Sequence, residues 1–316
     1  LASPQYAWWI PGRIEVLGKH TDYAGGRSLL CATDIGIVCV ASPRADSVLE
    51  ITDVRSGEEE TFDLKADLKT ATYGWTNYPR TVARRLWQNF GPLQGANVAF
   101  ASDLPLAAGM SSSSALIVAF SLVLMRLNNL SQTDAYRENI VSLEDLAGYL
   151  GTVENGKTFG ELAGDSGVGT FGGSEDHTAI LCSSSGQLKQ YSFCPVRHEE
   201  TVNFPDNHFF VIASSGVVAE KTGVALELYN RASRLAGATA LALSKGLGES
   251  IDHIAAAIGR QGPETLRGFL REEEGEFSSE DLLDRFDQFF IESEELVPQA
   301  TRAMSENNLT SFANDV

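Results

Sequence analysis

The stretch PGRIEVLGKHTDYAGG, residues 11–26, sets Arg13, Lys19, His20, Asp22 and Tyr23 among four glycines. So many polar groups on so permissive a backbone read as an ornate surface turn or as one wall of a polar binding site. Working outward, the apolar runs at 35–43, 48–54 and 97–103 predict strands. SSSSALIVAFSLVLMRLN, 111–128, predicts a buried helix, apolar on nearly every face, with a serine as its N-cap. A second helix is predicted over 142–155, with a capping start at Ser142. Beyond about residue 195 the character changes. HFFVIASS (208–215) reads as a strand, and 222–246 as a long helix with Val224, Leu228 and Leu235 on its apolar face. A Ser278…Asp281 start then precedes Leu282, Phe286 and Phe289 on one face. The charge run 271–276 reads as a solvated segment. The order of elements predicts an α+β fold with a boundary near 195–205.

Composition narrows the function classes. The 316 residues are 43% hydrophobic, enough for a substantial core, with a formal net charge of -18 that argues against nucleic acid and anionic membranes. No run of 18 apolar residues exists, so no membrane span is predicted. Cys31, Cys39, Cys182 and Cys194 form no C-x-x-C pair; buried reduced thiols and a cytoplasmic location are expected. The chain starts without Met or a signal-peptide n-region, so its numbering is read as beginning inside a longer protein.

Three further segments carry chemistry. In LPLAAGMSSSSA (104–115), Gly109 and the hydroxyls of Ser111, Ser112, Ser113 and Ser114 stand directly before an apolar helix. A helix start offers free N–H groups and a positive dipole end, which suit phosphate, and hydroxyls suit Mg²⁺. Plain N-capping would need only one of those serines. Glu154 closes a helix and by itself reads as solvent-facing. GVGTFGGSEDHTAIL (167–181) contains a literal G-x-G-x-x-G, but polar residues precede it and a β-rich apolar run is expected to follow, which does not match a dinucleotide fingerprint. Glu175, Asp176 and His177 remain beside flexible glycine backbone, where a carboxylate near a cation can act as base towards a hydroxyl. P-loop, protein-kinase, zinc and serine-hydrolase motifs are all missing. His198, His208 and His253 are isolated and read as structural or exposed.

These blocks resemble galactokinase, within the GHMP superfamily of small-molecule kinases. Residues 11–26 look like the galactokinase signature, and LPLAAGMSSSSA resembles the phosphate-binding loop. GWTNYPRTV (74–82), TVENGKTFG (152–160), GGSEDH (172–177) and SSGVVAEKTGVALELYN (214–230) follow in matching order. The resemblance implies a two-domain α+β GHMP kinase fold with the active site in the cleft between the domains. Residues 1–198 would form a ribosomal S5 domain 2-like N-terminal domain with the nucleotide loop and catalytic Asp, and residues 199–316 an α+β C-terminal domain. It also implies ATP- and Mg²⁺-dependent phosphorylation of a sugar hydroxyl, at the anomeric C1. By position, Asp176 matches the catalytic aspartate and Arg13 the arginine that lowers its pKa and steadies transferring charge. His20, Asp22, Tyr229 and the backbone at Gly173 match sugar contacts. Ser112 and Ser113 match hydroxyls at phosphate and Mg²⁺, Glu154 the Mg²⁺-ligand glutamate, and Trp75 and Tyr78 a block near the nucleotide.

Two departures stand out. The family carries glutamate where this chain has Lys19, beside the sugar's outer hydroxyls. A reversed charge there either pairs with an acidic substituent, making a hexuronic acid a candidate substrate, or points to solvent. The third glycine-rich motif has no counterpart after residue 200, so the C-terminal domain is expected to be incomplete. The alternative functions are a catalytically silent sugar and ATP sensor and a kinase of a non-sugar alcohol, the latter opposed by GKHTDYAGG. A monomer or small homo-oligomer is expected.

Overall fold

The computed structural model describes residues 4–70, 74–105, 109–213, 223–273 and 275–316. Seven strands form one sheet: β1 (Tyr6–Leu17), β2 (Arg27–Pro43), β3 (Val48–Asp53), β4 (Glu59–Asp63), β5 (Ala96–Ser102), β6 (Gln187–Ser192) and β7 (Arg197–Asn203). β2 is the spine. One of its edges pairs with β1, while β5 and β6 share the other, at Ile37↔Ser102 onward and Arg27↔Ser192 onward respectively. β3 joins β5 in parallel, β4 closes that side, and β7 closes the other. β1 changes register between Pro11 and Arg13 and again between Glu15 and Leu17. Such bulges re-aim side chains, here at the two charged positions the strand carries.

The helices are α1 (Asn77–Phe90), α2 (Ser112–Leu127), α3 (Asp134–Asn139), α4 (Leu143–Asn155), α5 (Glu175–Cys182), α6 (Gly223–Leu247), α7 (Ile254–Ile258), α8 (Pro263–Arg271), α9 (Ser279–Phe290), α10 (Val297–Ser305) and α11 (Leu309–Asp315). A π-helical turn, Ile291–Leu296, joins α9 to α10. α2 is apolar all round because it is buried all round: Ile117, Phe120 and Leu124 pack between the sheet (Ile37, Cys39, Leu49, Ile51, Val98), α1 (Leu86) and α4 (Leu150). Each such side chain contributes about 1.5–3 kcal/mol relative to exposure. A second core joins α6 to α9 through Leu243, Leu266, Phe286 and Phe289. A third returns the C-terminal helices to the sheet, with Val297, Ala300 and Met304 against Leu29, Leu188 and Val202.

The predicted strands at 35–43, 48–54 and 97–103 and the helices at 111–128, 142–155 and 222–246 are present. Ser142 and Ser278 each close a capping box, with Asp145 and Asp281. Four expectations fail. Residues 208–213 form no strand: Phe209 is 80% and Val211 81% exposed, and these residues pair with no strand of the sheet. Residues 214 and 215 of that run lie outside the described residues. TAILC after the second glycine cluster is helical, within α5, because its apolar side chains fill the space between α4 and β2. Leu228 is exposed on α6, whereas Leu235 is buried; the Val224 side chain lies outside the described residues. Cys194 is an exposed free thiol, unlike the buried Cys31, Cys39 and Cys182. Beyond Asn203 the described residues are helical or irregular, so the expected α+β character of the second half is all-helical there. The run 271–276 is largely exposed where described. Among the described residues no helix is long and apolar enough to cross a membrane.

Candidate active site

The site begins at a close backbone approach. A Cβ on Gly12 would lie 2.5 Å from Leu104 Cδ2 and 3.0 Å from Met110 O. Glycine therefore lets β1 meet the loop before α2, where Arg13 N donates to Met110 O. The Arg13 side chain then spans the gap, donating from Nη1 to Gly109 O (2.6 Å) and from Nε to Asp176 Oδ1 (2.7 Å). Burial works against its charge, but Asp176 and Glu15 help hold the guanidinium above its ordinary value. Asp176 stands in the first turn of α5, where the positive helix end favours a carboxylate. Its second oxygen, Oδ2, accepts from Ser114 Oγ at 3.2 Å, and the same hydroxyl lies 2.8 Å from Glu154 Oε2. One serine proton thus sits between two carboxylates.

Glu154 is not solvent-facing. It is 7% exposed because the last turn of α4 packs against α2 and α5, with His177 Nε2 3.3 Å from its Oε2. Ser111 takes the N-cap position of α2 in a left-handed conformation (φ 58°) and makes no side-chain cap bond. Its Oγ is buried without a hydrogen-bond partner. The expected serine cap is therefore absent: the left-handed turn points that hydroxyl away from the first helical N–H groups. Strain of this kind on a non-glycine residue concentrates at ligand sites.

The opposite wall is the 18–28 loop. His20 is left-handed (φ 61°), and its ring lies 5.6 Å from Tyr229 and 6.0 Å from Tyr23. Burial, helped by Arg285 and Lys19, pushes the imidazole down to about 4, so it is neutral at physiological pH. Asp22 accepts from Tyr23 N (2.8 Å) and Glu175 N (3.1 Å), yet burial raises it to about 6. A Cβ on Gly173 would fall 2.2 Å from Asp22 Oδ2, so that position is glycine to let the two loops touch. Lys19 is exposed at the rim, and among the described residues its ammonium makes no ion pair.

These groups surround one cavity of about 620 Å³. Its wall includes Arg13, Lys19, His20, Asp22, Gly109, Ser111 to Ser114, Glu154, Gly173, Asp176 and Tyr229. Trp75 and Tyr78 are not in that wall. Trp75 packs edge-on against Phe100 (5.3 Å) and donates from Nε1 to Glu58; Tyr78 sits behind, hydrogen-bonded to Ser113 and pushed by burial to about 12. Among the described residues no three His, Cys, Asp or Glu side chains form a ready-made metal cage. One carboxylate with a neighbouring hydroxyl nevertheless suits Mg²⁺, which keeps waters and shares phosphate oxygens: Glu154 has Ser114 Oγ at 2.8 Å, and Ser112 and Ser113 line the same cavity.

Several positioning residues escaped the sequence reading. Glu292 Oε1 accepts from Gly18 N (2.8 Å) and Lys19 N (3.3 Å), and Arg285 donates to His20 O (2.5 Å). Asn230 clamps the second glycine cluster through Phe171 N and Gly169 O. Arg285 had a visible signal, a charge three residues after Leu282 on the buried stripe of α9. Glu292 and Asn230 had none. His253, read as structural, caps α7 by accepting from Ala256 N.

Known proteins resemble the chain in two segments of sequence and in its fold. The family model described as GHMP kinases N terminal domain matches residues 77–159, and the galactokinase galactose-binding signature matches residues 2–43. The galactokinase of Chloroflexus aurantiacus is 36% identical over 121 residues, 38% of this chain and 31% of the relative. That of Actinobacillus pleuropneumoniae is 30% identical over 206 residues, 65% of this chain and 48% of the relative. The matched stretch thus spans between about a third and a half of those relatives' own length. Among solved structures, Lactococcus lactis galactokinase complexed with galactose superposes with a TM-score of 0.70 at 21% identity, covering 98% of this chain and 72% of that one. The chain thus shares the fold of that galactokinase, carries a GHMP kinase N-terminal domain over residues 77–159 and bears the galactokinase galactose-binding signature over residues 2–43.

Proposed function

We propose that the chain is an ATP-dependent sugar kinase that phosphorylates galactose or a related hexose at the anomeric C1 hydroxyl. The observation that carries this reading is the convergence of Asp176, Arg13 and the hydroxyl-rich start of α2 on one polar cavity. Phosphoryl transfer asks a protein mainly for positioning and charge neutralisation. Asp176 orients the acceptor hydroxyl and takes up its proton. Arg13 fixes that carboxylate and offers positive charge beside the transferring group. His20, Asp22, Tyr229 and the backbone at Gly173 hold the sugar. The α2 start, with Gly109 and Ser111 to Ser114, cradles phosphate through N–H groups and hydroxyls. Glu154, Ser112 and Ser113 would hold Mg²⁺, which supplies charge neutralisation on the phosphates when bound. Trp75 and Tyr78 belong to the nucleotide side of this reading, behind the serine loop. A cytoplasmic location is supported by four unpaired cysteines.

A hexuronic acid is the second substrate reading, favoured by the Lys19 ammonium at the cavity rim, which makes no ion pair among the described residues. Nothing favours a silent sensor. ADP release measured across galactose, galacturonate and other hexoses tests both. Turnover dependent on galactose supports the first reading, and a strong preference for the uronate supports the second. Galactose preferred and Lys19→Glu without effect removes the role given to Lys19; no turnover with any sugar removes the kinase.

A further inference from the structure

Glu175 has no part in the mechanism above, yet it is 4% exposed, lies directly before Asp176 and borders the cavity. Its Oε2 lies 3.1 Å from Ser28 Oγ. Ser28 Oγ is in turn 3.2 Å from Gly18 O and 3.4 Å from Thr21 Oγ1, and Thr21 Oγ1 is 2.7 Å from both Gly18 O and Arg27 O. Ser28 and Thr21 are both fully buried, so water does not complete this group. Thr21 N also donates to Gly18 O at 3.2 Å, so that carbonyl is satisfied and the group closes with the Glu175 carboxyl in either state. With a proton on the acid, Glu175 donates to Ser28 Oγ, Ser28 to Gly18 O and Thr21 to Arg27 O. The surroundings of the carboxyl select that protonated state. The other carboxyl oxygen, Oε1, is buried with no hydrogen-bond partner. A neutral acid tolerates that far better than a carboxylate, for which an unsolvated oxygen costs several kcal/mol.

We infer that Glu175 is a positioning residue, an uncharged carboxylic acid whose proton completes the Ser28–Thr21 relay and locks the 18–28 loop to the helix carrying Asp176. The backbone of the same residue makes the second fastening, Glu175 N donating to Asp22 Oδ2 at 3.1 Å. This role rests on the sugar-kinase reading, since it aligns a sugar wall with the acid at 176. The charged groups facing Glu175 are Glu15 and Arg13 from β1, Asp22 from the loop and Asp176 from its own helix. Burial first, then Glu15 and Asp22, push it well above the ordinary value of 4.5, with Arg13 pulling the other way.

The sign of the consequence is definite. Above 4.5 the unfolded chain has released a proton that the folded chain still holds, so Glu175 costs increasing stability as pH rises towards its folded value. Glu175→Gln keeps a donor to Ser28 and cannot ionise. The melting-temperature difference between Glu175→Gln and the unmodified protein is therefore expected to move in the variant's favour by several degrees from acidic to alkaline pH. In parallel, the unmodified protein labelled with ¹³C at its glutamate carboxyls is expected to keep one resonance protonated at neutral pH, whether or not the variant folds. For activity, the galactose KM of the unmodified protein is expected to climb at alkaline pH, a climb that Glu175→Gln removes. A pH-independent difference in melting temperature, or glutamate resonances that all titrate in the ordinary carboxylate range, would overturn the inference. Failure of the unmodified protein to phosphorylate any sugar would instead remove the kinase reading, and the melting and resonance measurements would still decide Glu175.

Discussion

Asp22 shows how one residue's surroundings set a measurable property. Two backbone N–H groups favour its charged form, but burial wins and raises it to about 6. If its carboxylate accepts from a sugar hydroxyl, protonation removes that acceptor. The galactose KM is then expected to fall as pH rises through about 6 and to level off near neutrality, before the alkaline climb tied to Glu175, changing about tenfold per unit on the acid side. Asp22→Asn should give a high KM without that dependence; a flat profile in the unmodified protein would remove Asp22 from sugar binding. Arg13, His20, Asp22, Asp176 and the serines were legible as residues because their types match the chemistry. Glu154 was misjudged from the sequence alone, since its burial comes from helix packing that no local pattern records. Arg285 was overlooked for a related reason: a cation on an apolar stripe reads as a defect until the carbonyl it meets is known.

At the scale of elements, the 18–28 loop owes its shape to α9 and the π-helical turn after it. Arg285 holds His20 O, while Glu292 gathers the N–H groups of Gly18 and Lys19. Arg285→Met should keep most of the packing but leave the carbonyl unpaired, lowering stability by about 1–3 kcal/mol. It should also raise the sugar KM more than the ATP KM; equal effects on both would mean that α9 does not shape the sugar wall. Long apolar or patterned runs were legible, such as α2 and the second half of β2, as were the two capping boxes; the first half of β2, residues 27–34, was not read as a strand. α5 was not legible, because its eight residues are too few to display a helical period, and TAIL suits a strand equally well. The run 208–213 was misread because a strand needs a neighbouring edge, which sequence pattern does not reveal.

For the whole molecule, the two halves on either side of the boundary read near residue 198 share a core: Leu29, Leu188 and Val202 pack against Val297, Ala300 and Met304. Whatever division of labour the two halves have, that shared core ties them. The full chain is therefore expected to unfold in one cooperative thermal transition, and two separated calorimetric peaks would contradict this. The convergence of residues 13, 111–114 and 176 on one pocket was expected from the family resemblance, although no local pattern records how β1, α2 and α5 meet. That convergence is the central claim. Its most direct test is ³¹P NMR of ATP with galactose, comparing the unmodified protein with Asp176→Asn. The expected result is a galactose-dependent sugar 1-phosphate signal that falls by about 10²–10⁴-fold in the variant while ATP still binds. An equal signal from both proteins, or none from the unmodified one, would contradict it.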